Sequence, residues 1–89
     1  MELKQVEKIS KALADINRLR IIKFIQEHKG RLECTSIVSS MNLAQPSISH
    51  HIKKLVEAEL IEPHKEGKFY FYSLNKAVLK NYSDVLKKL

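Results

Sequence analysis

Cysteine, glycine and proline are scarce in this 89-residue sequence, which has one Cys, two Gly, two Pro and no Trp. A single thiol, Cys34, cannot close an intrachain disulfide, which excludes a small disulfide-held scaffold. Two glycines do not build a phosphate-cradling loop, and the serines fall on what reads as an exposed helix, so no catalytic site is expected. No apolar run resembles a signal peptide or a membrane span, and a cytoplasmic chain without membrane attachment is the expectation. The most local shortage is of acid. From Cys34 to Val56 there is no Asp or Glu, while the same stretch carries His50, His51, Lys53, Lys54 and the hydroxyls of Ser36, Ser39, Ser40, Ser47 and Ser49.

What is present fits one small globular domain, 1–89. Hydrophobic residues make up 44% and charged residues 29%, enough apolar surface to fold rather than stay disordered. A chain this short buries only about 60 to 65 per cent of its unfolded surface, so a second copy would help its stability. The formal net charge of +6 favours a polyanionic partner, and the acid-free stretch shows where that preference is concentrated.

Periodicity predicts four helices, a hairpin and a last helix. Leu3, Val6, Ile9 and Leu13 mark a first helix over about 2–14. Asp15 caps a second that runs from Ile16 to about His28, with Leu19, Ile22 and Ile25 on one side and Ile21 and Phe24 widening the buried face. Gly30 ends it. A short third helix is expected from Thr35 or Ser36, either able to cap it, to Met41, then a turn at Asn42-Leu43-Ala44. Proline at 46 suits a first helical turn and makes Gln45 the expected cap, with a fourth helix from Pro46. On it Ile48, Ile52 and Leu55 face the core, leaving Ser47, Ser49, His50, Lys53 and Lys54 outward. Ile61–Lys65 and Lys68–Leu74 read as strands around a Glu66-Gly67 turn. Asn75 caps a last helix with a stripe of Val78, Leu79, Tyr82, Val85, Leu86 and Leu89. The amphipathic helices at the two ends, about 2–14 and 75–89, are expected to pack on another subunit.

Two short helices around a tight turn form a helix-turn-helix over about 35–58, whose second helix can enter the major groove of DNA N-terminus first. Gln45 is then a candidate adenine reader, Ser47, Ser49 and His50 candidates for base edges or phosphates, and Lys53 and Lys54 for the backbone, with Ser36 on the preceding helix. The N–H groups of Ser47 and Ile48 are expected to seat a phosphate oxygen. The hairpin, about 61–74, becomes a wing on which His64, Lys65 and Lys68 add positive charge. The run Phe69, Tyr70, Phe71 and Tyr72 is expected to pack that wing onto the core, with base stacking as an alternative. His51 is expected to pack or bond within the domain.

The segments "KALADINRLRIIKFI" and "LAQPSISHHIKKLVEAELIEPHKEGKFYFYSL" resemble the ArsR/SmtB group of prokaryotic winged-helix repressors over about Lys11 to Leu74. The resemblance implies a mainly α fold with one β-hairpin, in the order α-α-α-α-β-β-α, dimerising through its terminal helices. It further implies a homodimer that binds an inverted-repeat operator in double-stranded DNA and blocks transcription until an effector releases it. The chain departs from the pattern at Ile16, where that group has Pro, at Ala44, where a capping Ser is common, and at Glu59, where Gly is usual. The soft-metal members' Cys-x-Cys is reduced to Cys34, and the last helix has Asp84 but no His. Neither a metal site nor a cofactor is therefore expected. Two other readings stay open: a winged helix that docks only protein, and a metal- or thiol-responsive repressor using His28, Cys34 and the His50-His51 pair across a dimer.

Overall fold

The computed structural model describes Met1–Leu89. Its elements follow the chain as α1 (Leu3–Leu13), α2 (Ile16–Glu27), β1 (Arg31–Glu33), α3 (Cys34–Ser40), α4 (Gln45–Glu57), β2 (Ile61–Glu66), β3 (Phe69–Leu74) and α5 (Lys76–Lys88). The α1–α2 corner is made by polar side chains. Asp15 accepts hydrogen bonds from the N–H groups of Asn17 (2.8 Å) and Arg18 (3.2 Å), closing the first turn of α2. Arg18 then reaches back to the end of α1, donating from Nε to the carbonyl of Ala12 (2.6 Å) and from Nη2 to that of Lys11 (3.3 Å). Carbonyls that a helix end leaves unpaired are thereby satisfied.

The core is a cluster centred on α2 and α4. Ile9, Ile21, Ile25, Ile37, Ile48, Leu55, Leu60 and Ile61 are all essentially inaccessible. Leu19, expected inside, is 44% exposed. Ile21 and Ile25 set the inward direction of α2, and a residue two positions from Ile21 lies about 200° round the helix. On α5 no residue is fully buried: Val78, Leu79 and Tyr82 lean on the core, while Leu86 and Leu89 are exposed, as is Leu3 on α1. The two terminal helices touch through Ser10 and Tyr82, whose hydroxyls lie 2.8 Å apart.

Several boundaries differ from the sequence expectation. A third strand, β1, pairs antiparallel with β3 in the sheet order β1-β3-β2. Only three residues long, it has no periodicity to read. It hands the chain straight into α3, which starts at Cys34 with Glu33 before it, so neither Thr35 nor Ser36 is the cap, and Met41 lies just past its end. Helix α4 starts at Gln45 with Ala44 as the cap residue, placing Pro46 in the first turn as expected but Gln45 inside the helix. The hairpin loop is Gly67-Lys68 rather than Glu66-Gly67, because Glu66 pairs with Phe69. Gly67 takes φ +59° at the first loop position, as a tight hairpin of this kind requires. Asn75 caps α5 through a bond from the N–H of Val78 (3.2 Å), as expected.

The exit from α4 carries a backbone cost. The N–H of Leu60 bonds the carbonyl of Leu55 (3.0 Å) and that of Glu59 bonds Val56 (2.9 Å), a helix end that requires a left-handed residue. Glu59 supplies it at φ +62° although it has a Cβ. Its side chain accepts one exposed bond from Gln5 (3.1 Å), which offsets little. Glu59→Gly is therefore expected to raise stability by about 1 kcal/mol in urea denaturation at fixed protein concentration; a decrease would contradict strain at this position.

Candidate nucleic-acid interface

Three apolar residues orient α4. With Ile48, Ile52 and Leu55 in the core, Gln45, Ser47, Ser49, His50, Lys53 and Lys54 are all exposed. His51 is held inward, its side chain only 13% exposed. Its Nδ1 lies 3.3 Å from Nη1 of Arg18 and 4.0 Å from Oδ1 of Asp15. The α1–α2 corner is thereby tied to the middle of α4, as the expectation of an internal role for His51 required. Burial works against ionisation of Asp15, but the N–H groups of Arg18 and Asn17, with the His51 and Arg18 charges behind them, hold its carboxyl below the ordinary carboxylate value.

Adjacent lysines leave α4 on opposite flanks. Lys53 shares a cavity of about 400 Å³ with Ser49, Cys34, Pro63 and Tyr72, on the side of the hairpin. Lys54 lines another of about 260 Å³ with Lys8, Lys11 and Arg18, on the side of α1. The expected phosphate seat at the start of α4 is absent: the N–H groups of Ser47 (3.0 Å) and Ile48 (3.2 Å) both bond the Ala44 carbonyl, which closes the first turn.

Register sorts the wing residues by face. Pro63 pairs with Tyr72 and Lys65 with Tyr70, and Pro63 and Tyr72 wall the cavity beside Ser49 and Lys53. Lys65 and Tyr70 therefore lie on the α4 side of the hairpin. His64 pairs with Phe71 on the opposite face, alongside Glu62 and Glu66, and its Nε2 is 2.7 Å from the Ser73 hydroxyl. Lys68 sits in the loop at the tip. Ser36 is half-buried on α3, its carbonyl accepting from the hydroxyls of Ser39 and Ser40. It lines a third cavity with Arg31 and Phe71. Ser49, Lys53 and Lys65 are thus brought to one side, Lys68 stands at the tip of the wing, and His64 and Ser36 lie elsewhere.

The aromatic run divides in two. Tyr72 packs on the core, where burial, and next the adjacent Cys34 thiol, push its phenol above the ordinary value. Phe71 is half-buried beneath the Arg31 guanidinium (4.1 Å), which also bonds Glu66 (2.6 Å). Phe69 and Tyr70 are 61% and 51% exposed, against the expectation that the whole run packs inward. The reason is that β1 pairs only with Phe71 to Ser73, so the strand overhangs it. Tyr70, which the sequence reading placed with its neighbours against the core and gave base stacking only as an alternative, is exposed on the wing with the Lys65 ammonium 5.5 Å from its ring. Alternation showed that it opposes Phe71, but not which face meets α4. No three His, Cys, Asp or Glu side chains converge in the chain.

A helix-turn-helix whose second helix presents a polar surface without acid as far as Glu57, flanked by a β-wing, defines a winged helix-turn-helix DNA-binding regulator. Comparison with known proteins agrees. The family profile described as "Bacterial regulatory protein, arsR family" matches residues 15–62. The transcriptional repressor SdpR of Bacillus subtilis is 37% identical over 73 residues, covering 82% of this chain and 79% of the relative. The arsenical resistance operon repressor of Staphylococcus aureus is 34% identical over 89 residues, 100% of this chain and 81% of that one. Among solved structures, the homodimeric winged helix-turn-helix DNA-binding domain from Mycobacterium bovis superposes with TM-score 0.77 at 25% identity, covering 94% of this chain and 77% of that one. The chain belongs to the arsR family of bacterial regulatory proteins, which are DNA-binding transcription regulators and not enzymes.

Asp15 offers a check on the corner that holds α4. Asp15→Ala is expected to cost about 1 kcal/mol near pH 7. Because the folded carboxyl lies below its ordinary value, its contribution is complete above the ordinary carboxylate range and is lost as pH falls through the lowered folded value. Urea midpoints of wild type and variant should converge on acidification, and a gap independent of pH would contradict a charged cap.

Proposed function

We propose that the protein is a homodimeric repressor that binds an inverted-repeat operator in double-stranded DNA. The observation that carries this reading is the two-sidedness of α4: one side locked in the core, the other a continuous set of exposed amide, hydroxyl, imidazole and ammonium groups without acid until Glu57. In this reading Gln45 pairs with adenine through its amide, and Ser47, Ser49 and His50 contact base edges or nearby phosphates. Lys53, Lys54, Lys65 and Lys68 neutralise backbone. His64 and Ser36, placed away from that surface, support the wing and α3.

Dimerisation is supported by the exposed Leu3 at the start of α1, by the exposed Leu86 and Leu89 at the end of the chain and the lack of any fully buried residue on α5, and by the homodimeric Mycobacterium bovis neighbour. Two copies related by a two-fold axis would present their α4 helices about 34 Å apart, one turn of B-DNA. Repression is supported by the names of the relatives. A cytoplasmic location fits this role, and no helix is long and apolar enough to cross a membrane.

The test is fluorescence-anisotropy binding to the DNA upstream of its own coding sequence and to a random duplex, across a salt series. A preference of about a thousandfold for the upstream duplex supports the reading, and equal affinity for both contradicts it. Gln45→Ala should cost about 1–3 kcal/mol on the preferred site and flatten its preference at one base pair. Lys53→Ala should weaken both duplexes by the same factor and reduce the salt slope by about one per protomer.

A further inference from the structure

Helix α1 has a second face. Its apolar side, with Val6, Ile9 and Ala12, is buried, while Lys4, Lys8 and Lys11 follow one another along the outside at helical spacing. Lys8 and Lys11 open onto the cavity of about 260 Å³ that also receives Lys54 from α4 and Arg18 from α2. Against these cations stands one lining carboxylate, Glu57, and Glu7 lies 3.9 Å from the Lys11 ammonium on the exposed side. Arg18 is held in place by the Lys11 and Ala12 carbonyls and by His51, so one cation of the group is positioned before any ligand arrives. Like charges brought together at this density are relieved by an anion.

The geometry of the major groove says which anion. A helix lying in that groove has a phosphodiester backbone on each side, the groove being about 12 Å wide. On the hairpin side of α4, Lys53 and the wing lysines face one strand. On the opposite side, the cations that lie next to α4 are Lys54, Lys8, Lys11 and Arg18. We propose that Lys8 and Lys11 of α1, with Lys54, form a backbone clamp for the second DNA strand, so that α1 serves DNA binding as well as packing. The clamp reads no sequence; it fixes the depth and tilt of α4 from the side that the wing does not reach. This inference rests on the operator-binding reading.

The test is the salt dependence of binding by the full-length protein, with wild type compared to Lys8→Gln/Lys11→Gln and to a charge-matched control, Lys29→Gln/Lys76→Gln, whose residues lie outside this surface. The α1 double variant is expected to lose the same factor of affinity for the upstream and random duplexes. Its slope of log K against log salt should fall by about two per protomer, with the control close to wild type. A variant slope equal to that of wild type or of the control overturns the clamp. So does loss of the dimer in sedimentation, which would place Lys8 and Lys11 in the subunit contact. If pyrophosphate at fixed ionic strength raises the melting temperature of wild type but not of the double variant, with the DNA slope unchanged, the cavity takes a free anion and the clamp is wrong. Failure of wild type to bind either duplex overturns the operator reading and the clamp with it, whereas wild-type binding with an unaltered variant slope overturns the clamp alone.

Discussion

The burial of Ile48, Ile52 and Leu55 in one core with Ile21 and Ile25 is the constraint on which the rest of the structure depends. Each such side chain contributes about 1.5–3 kcal/mol when taken fully from water. Rotating α4 to pair or hide its polar residues would expose all three at once. The helix is therefore fixed about its axis by apolar residues that touch no ligand, and its chemistry is carried by residues that contribute little to folding. A second, polar constraint refines the first. Asp15, Arg18 and His51 join the end of α1, the start of α2 and the middle of α4, so that three helices share one corner.

The wing is built on similar lines, with a different balance. Its base is tied down by Leu32, Ile61 and Tyr72, and by Arg31, which bridges Phe71 and Glu66. Beyond its pairing with β1 the hairpin overhangs, tied back by the Arg31–Glu66 ion pair, and this end carries Lys65, Lys68 and Tyr70. Alternation separates two chemistries along it: Glu62, His64 and Glu66 on the outer face, Lys65 and Tyr70 on the face toward α4. The Lys65 ammonium thus lies on the face toward α4, and the Glu62 and Glu66 carboxylates on the other.

Much of this was legible in the sequence, for identifiable reasons. The inward face of α4 follows from three apolar residues at helical spacing, and the caps Asp15 and Asn75 follow from residue type just ahead of an apolar period. The absence of acid between Cys34 and Val56 marks the outward face in the sequence itself. Features that depend on tertiary approach were not legible. Strand β1 exists only because β3 lies beside it. Leu19 looked buried because it belongs to an apolar run whose inward direction Ile21 and Ile25 decide. The grouping of His64 with Lys65 and Lys68 treated sequence neighbours as spatial ones, although adjacent strand residues face opposite ways. The joining of Lys54 to Lys8 and Lys11 spans most of the helical half of the chain and leaves no local signature.

The central claim is that two copies of α4 address DNA together, held one helical turn apart by α1 and α5. Hydroxyl-radical footprinting on the upstream duplex tests it most directly. The account predicts two protected patches of equal strength, centred about 10 base pairs apart on one face of the DNA and filling together as protein is added. A single protected patch, or two that fill independently, would contradict it.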